Sequence, residues 1–241
     1  MSGLTDHSAL IMGLREKSHL FEAHAFDGDF DTASLGFTGQ TQRVSSVVLK
    51  EDTALELGAP GTPSVCSQLW TQRPGLVENR LFVREASSYV SPASLLHFAV
   101  LELPSDLTPP DFQVLSLATL TNVLPKLMIR SFPGRLWLRV HRDIYDHFSL
   151  LALGQTIRAA YAIKYPLIHN IDIYLAMGPD SLVPEFEPLA KATGAISQSN
   201  RRLQLESDGI ITCSTLDCEV CDEKPTCDTL KEVVVFRRRS P

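Results

Sequence analysis

Hydrophobic positions along the chain follow two different periods. Leu10, Leu14, Leu20 and Phe21 recur at helical spacing and predict a helix over residues 10–21. Short apolar or alternating runs predict strands instead. The expected strands cover residues 45–57, 66–70, 80–84, 96–103, 136–140, 171–177 and 232–236. Residues 26–42 are rich in Gly, Asp and Thr and are expected to form a loop.

Three further helices are expected in the second half of the chain. They cover residues 108–124, 149–166 and 184–192. Thr108 followed by Pro109 is typical of a helix beginning, and Ser149 can accept a hydrogen bond from the first turn of the next helix. Gly194 is a natural stop for the last helix.

Strands and helices alternate three times after residue 95, which predicts a mixed α/β fold. The strong turn sequence at residues 58–63 belongs to a preceding β-rich part. We therefore expect a β-rich part at residues 1–94, an α/β part at 95–205 and a cysteine-rich metal-binding segment at 206–241.

The overall composition is that of an ordinary soluble globular protein. Among 241 residues, 44% are hydrophobic and 21% are charged. The net charge of −6 disfavours a nucleic-acid partner, because a negative field repels phosphates. The sequence contains no apolar run long enough for a membrane span and no secretory signal at its beginning, so we expect a cytoplasmic protein.

Cysteine usage is the most informative part of the composition. Four of the five cysteines lie close together, namely Cys213, Cys218, Cys221 and Cys227. A disulfide framework would spread cysteines along a secreted chain, so this cluster predicts a shared metal centre. The isolated Cys66 is expected to be a small core residue, although its position after a turn leaves a functional role open.

The spacing of the four cysteines leaves the metal open. The first three match the C-x4-C-x2-C pattern of plant-type ferredoxins, which favours an iron–sulfur cluster. Structural zinc sites usually join two short cysteine pairs, and here only Cys218 and Cys221 form one. Free thiols without any metal are the third alternative.

Three stretches together resemble one family, the beta subunit of the carbon monoxide dehydrogenase/acetyl-CoA synthase complex. They are residues 55–60 (LELGAP), 136–140 (LWLRV, with the helix that follows) and 171–175 (IDIYL). Their order and approximate spacing agree with the family, and a cysteine-rich segment follows in both. The likeness covers about residues 45–227.

The resemblance implies a [4Fe–4S] cluster bound by the four clustered cysteines. The cysteine spacing keeps zinc as the alternative metal. It also implies a cofactor-binding role, toward coenzyme A, for Trp137 and Arg139. Expected partners are the other proteins of a multi-subunit complex, including a corrinoid protein. These features suggest an accessory or electron-transfer subunit in anaerobic one-carbon metabolism.

The sequence also departs from that family. The cysteine gaps differ, and the C-G-C segment that holds nickel is missing, so we do not expect complete acetyl-CoA synthesis by this chain alone. Enzymatic activity therefore stays open. Two alternative functions remain: a zinc-stabilised binding module in a larger complex, and a substrate- or corrinoid-binding subunit of a multi-subunit enzyme.

Overall fold

The structure is a computed structural model that falls into two compact units. One unit comprises Asp6–Gly194, and the other comprises Met1–Thr5 with Ala195–Pro241. The described residues are 6–26, 47–86, 91–105, 126–132, 134–164, 166, 168, 170–178, 182–199, 203–205 and 211–213. The helix expected at 108–124, the strand expected at 232–236 and nearly all of the loop expected at 26–42 lie outside these residues.

The described residues form three α-helices, ten strands and three short 3-10 helices. The helices are α1 (Ser8–Glu16), α2 (Leu150–Lys164) and α3 (Leu182–Ser199). The first five strands are β1 (Glu22–Ala25), β2 (Thr53–Leu57), β3 (Ser64–Thr71), β4 (Arg80–Glu85) and β5 (Ser94–Glu102). The others are β6 (Leu127–Phe132), β7 (Arg135–His141), β8 (Asn170–Gly178), β9 (Leu203–Leu205) and β10 (Ile211–Cys213). Short 3-10 helices occupy Ser18–Leu20, Lys50–Asp52 and Arg142–His147.

A five-stranded mixed sheet forms the centre of the larger unit. Its strand order is β1-β4-β8-β5-β3. The pairs β4–β8 and β5–β3 are parallel, whereas β1–β4 and β8–β5 are antiparallel. The central strands β5 and β8 are buried almost throughout, which explains their continuous apolar sequences.

One face of this sheet carries the main aromatic core, against α1 and α3. Phe82 and Tyr174 are direct neighbours on β4 and β8, and their rings stack with centroids 4.3 Å apart. Phe21 contacts Tyr174 edge-to-face, and Phe186 of α3 contacts both Phe21 and Phe98. Such aromatic pairs stabilise a core beyond their buried area.

The other face is covered in part by α2, which lies close to β4 and β8. Gly154 permits this approach, because a Cβ atom at that position would overlap Leu81 Cδ1 and lie 3.2 Å from Leu175 Cδ1. The helix begins as expected, with Ser149 Oγ accepting from Ala152 N at 3.0 Å. Glu85 Oε1 also accepts from Leu150 N at 2.5 Å, so two N–H groups of the first turn have partners.

A second sheet, with strand order β2-β7-β6, joins the edge of the first at β3. The β7 strand alternates strictly: Leu136, Leu138 and Val140 are buried, and the residues between them are partly exposed. Ser64 Oγ accepts from Leu136 N, and Cys66 N donates to Gly134 O at 2.9 Å. One backbone N–H on the outer edge of β3 is thereby paired.

The structure confirms the mixed α/β class and most of the expected strands, and it corrects two details. First, β7 lies in the second sheet, so the three-fold alternation does not build one layer. Second, α3 continues past Gly194 to Ser199, since that glycine remains helical. The division expected between residues 94 and 95 falls where β5 begins, inside the unit Asp6–Gly194.

Four strands were not anticipated from the sequence, namely β1, β6, β9 and β10. The β1 strand is mostly exposed and shows no alternation, so the usual strand pattern is missing. The last two strands have three residues each, too few to display any period. In the described part of the chain, no helix is both long and apolar enough to cross a membrane.

Candidate functional site

The structure places only the first of the four clustered cysteines. Cys213 is the last residue of β10, and its backbone pairs with Leu203 of β9 in an antiparallel arrangement. Cys218, Cys221 and Cys227 lie outside the described residues. Their convergence on one metal therefore stays a prediction from the sequence.

Cys66 is buried in the core of the first sheet. It lies on β3 directly opposite His97 of β5, with Sγ and Nδ1 3.5 Å apart. Burial raises the pKa of Cys66 to about 12 and lowers the pKa of His97 to about 4. Both side chains are thus neutral at physiological pH, and a buried protonated thiol is unreactive in the folded chain. The structure confirms Cys66 as a small core residue.

Among the residues that the structure describes, no group of three or more His, Cys, Asp and Glu side chains could hold a metal ion. The four C-terminal cysteines therefore remain the candidate thiolate ligands that the sequence predicts. Four thiolates are chemically suited to an iron–sulfur cluster and also to zinc. The chemistry of the donor set fits both metals considered from the sequence.

Trp137 and Arg139 come together on the outward-facing side of the second sheet. Both follow the alternation of β7 and point away from the buried leucines. The Arg139 guanidinium lies over the Trp137 ring, 4.7 Å from its centroid, which is a cation–π contact. The two predicted cofactor-binding residues are therefore neighbours, on a partly exposed surface.

Glu56 of β2 holds this pair in place. Its Oε1 atom accepts from Trp137 Nε1 at 2.9 Å and from Arg139 Nε at 2.7 Å. The Glu56 and Arg139 side chains are each 19% exposed, so this ion pair is shielded from bulk solvent. Arg139 also donates from a terminal nitrogen to Val48 O at 3.4 Å. The arrangement fixes an indole and a guanidinium in one orientation.

Sequence reasoning missed Glu56 because it lies about 80 residues before its two partners. The only local signal is its position between Leu55 and Leu57 on a strand, which indicates that it faces outward. Nothing in the sequence indicates that β2 pairs with β7. Arg130 of β6, the direct cross-strand neighbour of Trp137, was missed because β6 itself was not predicted from the sequence.

Asp172 is the most buried carboxylate described, at 2% exposure. Its Oδ1 accepts from Arg80 N at 2.8 Å, and both of its oxygens accept from Glu78 N at 3.1 and 3.2 Å. Burial raises its pKa to about 6, although these two backbone donors partly oppose the shift. The bonds hold the loop before β4 against β8, which is a structural role.

Comparison with protein-family models gives no match to this chain. Comparison with curated proteins also gives none. The resemblance to the acetyl-CoA synthase family therefore rests on the three sequence stretches alone, and it stays a prediction.

Proposed function

We propose that this chain is an iron–sulfur protein that works as an accessory or electron-transfer subunit of a larger complex in anaerobic one-carbon metabolism. The observation that carries the proposal is the cluster of four cysteines from Cys213 to Cys227 in a chain with only one other cysteine. Cys66 is a separate case, because it is buried on β3 opposite His97.

The chain's own contribution would be four thiolates and their surroundings. When bound, the cluster would accept or donate one electron. Cys213 would supply one ligand from the end of β10, and the other three cysteines follow within 14 residues. Four acidic residues lie among these cysteines, namely Asp217, Glu219, Asp222 and Glu223. Their negative charge would lower the reduction potential, because it disfavours adding an electron.

The test is purification without oxygen followed by metal and sulfide analysis. We expect about four irons and four sulfides per chain and a broad absorption near about 400 nm. Cys218→Ser should lower the iron content at least several-fold, whereas the matched control Cys66→Ser should leave it unchanged. Iron that is absent from the wild-type chain, or that is equally lost in both variants, would contradict the proposal.

A zinc-stabilised binding module is the second candidate function, and the short pair Cys218–Cys221 favours it. The same preparation distinguishes the two, because zinc would give a colourless protein with one metal ion per chain. In that case chelation should unfold the C-terminal segment, since metal binding contributes directly to its folding. Stability that is unchanged after chelation would exclude this role.

A further inference from the structure

The outward side of the second sheet carries a concentration of positive charge that the sequence did not reveal. We call it the cationic sheet face. It consists of Glu56, Arg130, Arg135, Trp137 and Arg139, which strand register and alternation place side by side. Met128, the cross-strand neighbour of Arg139, is buried. Three arginines and one glutamate give it a formal charge of +2, so the rest of the chain carries −8 within the total of −6.

No described helix is among the main packing partners of β7, which are strands β2, β3, β5 and β6 and the following 3-10 turn. Arg130 is exposed, and no partner for its guanidinium is found among the described residues. The backbone oxygen of Val48 accepts a hydrogen bond from Arg139. The neighbouring side chains of Val47 and Leu49 are each 58% exposed. Exposed apolar side chains therefore lie beside the cationic sheet face.

The aromatic and cationic groups of this face are already fixed in position. Glu56 holds the Trp137 and Arg139 side chains, as described above. Arg135 donates to Thr62 O at 2.7 Å and to Ala59 O at 3.3 Å. A partner would meet side chains that lose little conformational freedom on binding. Rigid tryptophan and arginine side chains are the residues most enriched at energetically important interface positions.

We propose that the cationic sheet face is a docking surface for an acidic polypeptide segment of a partner protein. The charge distribution selects the partner, because carboxylates would be attracted to this face and repelled by the rest of the chain. Trp137, Val47 and Leu49 would bury apolar groups of the same segment. A long nucleic acid is disfavoured, since the net charge of −6 on the chain would repel its extended phosphate backbone.

This proposal does not depend on the metal in the C-terminal segment. It uses only residues of the unit Asp6–Gly194. The docking proposal can therefore fail while the iron–sulfur proposal holds, and the iron–sulfur proposal can fail while the docking proposal holds. Iron content reports on one proposal and peptide binding on the other.

The experiment measures binding of a fluorescein-labelled poly-L-glutamate peptide to the full chain by fluorescence anisotropy at low salt. We expect binding that weakens as salt rises, because exposed charges are screened. Arg130→Gln should weaken affinity about five-fold while leaving the thermal midpoint unchanged, since the exposed guanidinium has no hydrogen bond or ion pair among the described residues. Trp137→Phe should also weaken binding, because it removes the Nε1 bond to Glu56.

Arg73→Gln is the matched control. Arg73 is 71% exposed on the loop after β3, and its replacement removes the same charge away from the cationic sheet face. We expect it to change affinity less than about two-fold. The proposal is overturned if poly-L-glutamate does not bind, if Arg73→Gln weakens binding as much as Arg130→Gln, or if a DNA duplex of equal charge binds more tightly than the peptide.

Discussion

Replacing the buried Asp172 by asparagine tests whether this carboxylate weakens the fold as the pH rises. Its side chain is 2% exposed and accepts backbone hydrogen bonds from Glu78 and Arg80. Asp172→Asn keeps a carbonyl oxygen at the position that accepts both bonds, and it removes the ionisable group. Any change in the pH dependence of stability therefore reports on that one ionisation.

The magnitude follows from the shift in pKa. Burial raises the pKa of Asp172 from 3.8 to about 6 in the folded state. Between these values the folded chain binds a proton that the unfolded chain has released, so stability falls as the pH rises. At about 1.4 kcal/mol per pKa unit, the ionised group costs about 3 kcal/mol above the folded pKa. That cost is absent below the unfolded pKa, where both states are protonated.

The assay is urea unfolding of the wild type and the variant at several values between about pH 4 and about pH 7. The free energy of unfolding of Asp172→Asn, relative to wild type, should rise by about 2–3 kcal/mol across this range. A matched control is Asp143→Asn. The hydrogen bond from Lys126 lowers the pKa of this exposed carboxylate below 3.8, so its ionisation changes stability mainly below pH 4, and this control should give almost no change across the assay range.

Two results would refute this reasoning. Parallel stability curves for wild type and Asp172→Asn would show that the two backbone donors cancel the desolvation of the carboxylate. A relative stability that falls with rising pH would show that these donors outweigh it, which would mean a lowered pKa.

Other predictions concern packing and thiol reactivity. Gly154→Ala should lower the free energy of unfolding by about 1–2 kcal/mol, because the added methyl group would overlap Leu81. Gly194→Ala should raise the free energy of unfolding by about 0.5–1 kcal/mol, because the added methyl group meets open space and alanine favours a helix. Denaturant titration measures both, and equal effects at the two glycines would contradict the close approach of α2. Cys66 should resist alkylation in the native chain and react after unfolding, because burial raises its pKa to about 12. Mass spectrometry of the labelled peptide checks this, and rapid native labelling would show that the thiol is accessible.

Local patterns predicted most of the elements, and the reasons are visible at particular residues. Ser149 precedes the first residue of α2, and its side-chain oxygen accepts a hydrogen bond from an N–H group of the first turn. The continuous apolar sequences of β5 and β8 predicted buried strands, and these two strands are central in the sheet. Gly194 misled the prediction, because a glycine permits a helix end without requiring one.

The sequence by itself determined the mixed α/β class, most of the described strands and helices, and the four cysteines that predict a metal centre. Only the tertiary structure decided which strands are neighbours. That pairing brings Glu56 to Trp137 and Arg139, gathers arginines on one sheet face, and buries Asp172 beneath a loop. The physical reason is that the contacts of Glu56 and Asp172 join residues about 80 to 95 positions apart. Local periodicity specifies which side of a strand faces inward, but it does not specify the partner strand.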